Sequence, residues 1–62
     1  MMSRDALYRA VEGIHNLYFE SMRFGQFMDV FLGYVVEEGY DPYYLTDAEL
    51  VNMMKQFVED LR

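Results

Sequence analysis

Leu45-Thr46-Asp47-Ala48-Glu49-Leu50 decides the fold. Thr46 and Glu49 have the spacing of a capping box, in which a threonine hydroxyl and a glutamate carboxylate each satisfy one orphan amide at the start of a helix. Leu45 and Leu50 flank the box where a hydrophobic staple would fix the entry of the chain. Leu50, Met54, Phe57 and Leu61 then step by 4, 3 and 4, with Met53 and Val58 beside them. That is one apolar face of a helix, with Asn52, Lys55 and Glu59 toward water. The spacing predicts a helix over 47–61.

Upstream of this code, Gly39 tolerates the left-handed conformation that ends helices, and Pro42 adds a second stop. The segment before them, predicted helical over 24–38, is apolar around most of its circumference. Its polar positions Gln26, Asp29, Gly33 and Glu37 form a single narrow strip. A helix with so thin a wet face is expected at the centre of the fold or beneath a partner. A third helix is predicted over 4–22, capped by Ser3 and favoured by Asp5 in its first turn. Its stripe Leu7, Val11, Ile14, Tyr18 faces inward. A second stripe, Tyr8, Glu12, His15, Phe19, repeats the spacing on another face. The expected fold is all-α: one domain over 1–62, a small three-helix bundle completed by homodimerisation.

Composition supports the dimer. The chain has 62 residues, 53% of them hydrophobic and 18% aromatic, and no cysteine. Disorder has the opposite composition, and no disulfide can supplement a small core. Surface scaling puts a folded chain of this mass at about 4,200 Å², with room for roughly 12 to 18 buried side chains. Apolar residues are left over, and exposed apolar patches mark interaction surfaces. No basic start leads into an apolar run of signal-peptide type, and the most apolar stretch is too short to span a bilayer. A cytoplasmic protein without membrane contact is expected.

The net charge of −6 is unevenly spread. Arg4, Arg9 and Arg23 balance Asp5, Glu12 and Glu20 in the first 23 residues. From Phe24 to Met54 stand Asp29, Glu37, Glu38, Asp41, Asp47 and Glu49, with no lysine or arginine. Nucleic-acid binding depends on cations that release counterions, so direct binding of DNA or RNA is not expected. The acidic middle has two readings: a solvated face that keeps an apolar domain soluble, or a surface that imitates nucleic acid and occupies a host protein's basic groove.

No catalytic or cofactor chemistry is expected. His15 is the lone histidine, and Ser3, Ser21 and Thr46 belong to no triad or nucleophile motif. Asp41 to Asp47 lacks the ligand order of a calcium loop. His15 reads as a partly buried surface histidine paired with a neighbouring charge. The candidate partner-binding residues are Tyr8, Phe19, Tyr34, Tyr40, Tyr43 and Tyr44, because tyrosine joins a broad apolar body to a polar tip, together with Glu37, Glu38 and Asp41. The apolar second helix, with the Tyr8, Phe19 or tyrosine-loop surfaces, is the expected dimer surface. Arg23 and Gln26 open the second helix, while Asp41 and Asp47 flank the following connection. A polar clamp among these four is expected to fix the loop.

Arg23-Phe24-Gly25-Gln26 and Asp41-Pro42-Tyr43-Tyr44-Leu45-Thr46-Asp47-Ala48-Glu49-Leu50 resemble a group of short, uncharacterised bacterial and phage-associated proteins. These carry an R-x-G-Q segment and a later D-P-F-Y-x-x-D-x-E-L segment; Tyr43 stands here at the phenylalanine position. The resemblance implies a small helical fold and a bacterial or mobile-element origin, and it brings no assigned activity.

Overall fold

The computed structural model describes residues 1–61. It contains α1 (Arg4–Tyr18), α2 (Phe24–Glu37), a 3₁₀ turn (Pro42–Tyr44) and α3 (Asp47–Leu61), with no strand among the described residues. The chain is a three-helix bundle. In α3 the cap is reciprocal: the Thr46 amide donates to the Glu49 carboxylate at 2.9 Å, and the Glu49 amide donates to the Thr46 hydroxyl at 3.1 Å. In α1 the Ser3 hydroxyl accepts from the Ala6 amide at 3.1 Å. At the end of α2, Gly39 takes φ +92°. The Tyr40 amide reaches the Val35 carbonyl and the Gly39 amide reaches Val36, which closes a Schellman motif. Glu38 is thereby the cap of α2 and lies outside the helix.

The first helix is shorter than the apolar spacing predicts, ending at Tyr18 and not at residue 22. Phe19 is the C-cap, its amide still bonded to the His15 carbonyl, so it keeps the register of the His15 stripe. Its ring stacks on Phe27 at 5.1 Å and on Phe57 at 5.3 Å. The Met22 amide then bonds to the Phe19 carbonyl.

The core also differs from its expected size and centre. Eight side chains are buried among the described residues: Phe27, Phe31 and Val35 from α2, and Val51, Met53, Met54, Phe57 and Val58 from α3. α1 contributes none. α3 is therefore the central helix, meeting α1 on one side and α2 on the other. The wet face of α2 is wider than its polar strip, because Val30 and Val36 on either flank of it are exposed. The accessible surface of 4721 Å² exceeds the roughly 4,200 Å² expected at this mass.

Phe57 lies where all three elements meet, its ring 5.3 Å from Phe19, 5.7 Å from Phe31 and 5.1 Å from Tyr34. Phe57→Ala should cost about 3–5 kcal/mol, comparable to the whole stability of a domain this small. Thr46→Ala should cost about 1 kcal/mol. In urea titrations followed by circular dichroism, the first variant should lose its cooperative transition while the second keeps one with a lower midpoint. Equal midpoints would remove Phe57 from its central place.

Candidate interaction surfaces

Two open grooves and one aromatic corner stand out. The first groove, about 360 Å³, lies between α1 and the start of α2 and is lined by Tyr8, Val11, Glu12, His15, Asn16 and Phe24. His15 forms its floor. The ring stacks parallel on Phe27 at 4.9 Å and meets Phe24 edge-on at 5.9 Å. Its Nε2 lies 2.8 Å from the Met22 carbonyl oxygen. A carbonyl only accepts, so Nε2 carries the proton and donates. The histidine thus fastens the α1–α2 turn by a hydrogen bond to backbone, in place of the expected ion pair.

Tyr8 is 60% exposed at the rim of this groove. Phe19, grouped with it by sequence as partner-binding, is instead half-buried and spent on the aromatic stack. Phe24 takes its place at the surface. Sequence periodicity hides this, because Phe24 lies one turn before Phe27 on the same helical face; only its position at the first residue of α2 leaves the ring open.

The second groove, about 190 Å³, lies between the connection and α3 and is lined by Tyr40, Leu45, Glu49, Asn52, Met53 and Gln56. Beside it Tyr43 and Tyr44 are 84% and 78% exposed, their rings T-shaped at 4.9 Å. The local backbone sets this corner: the Asp41 carboxylate accepts from the Tyr43 amide at 2.9 Å and Pro42 begins the 3₁₀ turn.

Tyr34 is a strut between helices. It is half-buried, and its hydroxyl donates to Asp60 at 2.5 Å. Desolvation first, then the bond to Asp60 and the charges of Asp60 and Glu38, push the phenol up from 10.0 to about 12. Glu38 in turn accepts from the Gln56 amide at 3.0 Å, while Glu37 is exposed. The pair Gln56 and Asp60 had no sequence signal, since which α3 residues face Glu38 and Tyr34 depends on the crossing of two helices.

The four residues of the expected clamp are not brought together. Gln26 accepts from the Arg23 amide at 2.9 Å, capping α2 locally. Asp41 caps the 3₁₀ turn, and Asp47 pairs with Arg4 at 3.9 Å. Each short polar side chain is satisfied within its own turn or by α1, which lies closer to the start of α3. Thr46 and Glu49 hold the α3 cap, and their bonds keep the Glu49 carboxyl below the ordinary carboxylate range. That depression contributes stability above the unfolded pKa of Glu49 and is lost as pH falls through the folded value.

No cluster of three or more metal-ligating side chains occurs among the described residues, and no helix among them is long and apolar enough to cross a membrane. The fold and its surfaces define a small helical domain with open grooves. No family model, curated protein or solved structure matches the chain.

The raised Tyr34 pKa has a sign that can be tested. The folded state holds this proton more tightly than the unfolded state, so it contributes stability below pH 10 that is lost as pH rises toward 12. Tyr34→Phe should flatten the fall of the urea midpoint above pH 10. An unchanged pH slope would contradict the assignment.

Proposed function

We propose that this chain is a small protein–protein interaction module, without catalytic chemistry of its own, that self-associates. One observation carries the reading. Among the described residues, eleven large hydrophobic side chains are exposed, against eight hydrophobics buried. Scattered apolar residues are ordinary on a surface, but here many are aromatic and gather at a groove and a corner, as at protein interfaces. The histidine that would serve acid–base chemistry has its Nε2 bound to a backbone carbonyl.

A second reading has its own support. Glu37, Glu38, Asp41 and Asp60 are exposed, and the charges of Glu38 and Asp60 both act on Tyr34 near the ends of α2 and α3. Such a surface suits an acidic inhibitor, phage or mobile-element encoded, that mimics nucleic acid on a host protein's basic groove. Sedimentation of the chain alone and with poly-lysine separates the two. Self-association predicts a mass that rises from 7.4 kDa with concentration over tens of micromolar. A constant 7.4 kDa species that binds the polycation in a salt-sensitive way supports the inhibitor. A monomer indifferent to poly-lysine sinks both.

A further inference from the structure

Charge restricts where a second copy can sit. In a symmetric dimer the same patch meets itself. A patch built on α2 and the tyrosine corner would bring Asp29, Glu37, Glu38 and Asp41 toward their own copies, in a segment, residues 24–54, that holds no lysine or arginine. Like charges across an interface are destabilising. That weighs against α2 and the tyrosine corner as the self-association surface. Residues 1–23 are balanced, with Arg4, Arg9 and Arg23 against Asp5, Glu12 and Glu20. They also form the helix with no buried residue and carry the larger aromatic groove.

Resting on the self-association reading above, we propose that a second copy of this chain docks antiparallel along the outer face of α1. Arg9 of each copy lies opposite the partner's Glu12, and Tyr8 of each copy enters the groove of the other between Glu12, His15 and Phe24.

The helical register produces these pairings without adjustment. At 100° per residue, Glu12, Asp5, Asn16 and Arg9 fall within about 60° of arc, with Tyr8 on one flank. When the two-fold axis passes midway between the levels of residues 10 and 11, residue 9 is level with the partner's residue 12, and residue 5 with its residue 16. Residue 8 comes level with the partner's residue 13. The axis keeps each flank on its own side, so Tyr8 meets the partner's groove wall and not its polar strip. Arg9 and Glu12 are both exposed, and neither makes an ion pair among the described residues. The guanidinium fork and the carboxylate are thus available to each other, twice per dimer. Phe24 and His15 supply aromatic walls against which a tyrosine ring packs.

The size of the face sets the strength. A helix of 15 residues is about 22 Å long and about 10 Å wide, so each copy offers a face of about 220 Å² in projection. That is small beside specific interfaces, and the dimer is a weak, transient one.

Charge reversal tests the pairing. Arg9→Glu and Glu12→Arg are surface changes, and circular dichroism should find both variants folded. In sedimentation equilibrium each alone should self-associate at least tenfold more weakly than the native chain. An equimolar mixture should recover association as a heterodimer, because both cross-pairs are again opposite in charge. General repulsion predicts otherwise for Glu12→Arg, whose net charge falls in magnitude from −6 to −6 + 2 = −4. If both variants associate like the native chain, self-association survives and this surface is wrong. A mixture that stays monomeric also overturns the pairing. If the native chain is itself monomeric, the self-association reading falls and the docking surface with it.

Discussion

Phe57 is the contact on which the bundle depends. Its ring meets Phe31 and Tyr34 of α2 and Phe19 just beyond α1, and Phe19 passes the stack on to Phe27 and thence to His15. With no cysteine and only eight buried side chains, the aromatic rings supply much of the buried area that a chain of this length can muster. The stack also dictates how α1 is attached. Val11 and Ile14 pack half-buried against the core, Phe19 and the His15 bond to Met22 fix the end of the helix, and the exposed Arg4–Asp47 pair at 3.9 Å adds little at its start.

What could be read from sequence follows from how local each decision is. The α3 start was legible because Thr46 and Glu49 satisfy each other within one turn, and the α2 end because Gly39 alone meets the left-handed requirement there. The end of α1 was not legible. Phe19 continues the His15 stripe by spacing, and its packing on Phe27 and Phe57 depends on helices that the local sequence does not place. The same limit hid the rank of the helices: α2 has the more apolar sequence, yet α3 is sandwiched and buries more. Among the surface residues, Tyr8, Tyr40, Tyr43 and Tyr44 are exposed as the amphipathic reading expects, whereas Phe19 and Tyr34 serve the interior. Gln26, Asp41 and Asp47 show why polar residues near a connection make an unreliable set: each finds a nearer amide or cation.

Charge is unevenly divided in this small domain, while exposed apolar side chains occur both on α1 and within the acidic residues 24–54. The carboxylates of residues 24–54 lie on α2, the connection and the start of α3. α1 is electrically balanced and carries aromatic surface that its own fold leaves uncovered. A weak symmetric dimer through α1 would cover that surface and leave the acidic side facing outward on both copies, free to meet a basic partner.

The most direct measurement is an isotope-filtered NMR experiment on a one-to-one mixture of labelled and unlabelled chains, which detects only contacts between copies. The account predicts cross-peaks from the Tyr8 ring to His15, Asn16 and Phe24 protons at concentrations where the mass exceeds that of a monomer. Intermolecular cross-peaks confined to Tyr43, Tyr44 or the outer residues of α2, with none from α1, would contradict it.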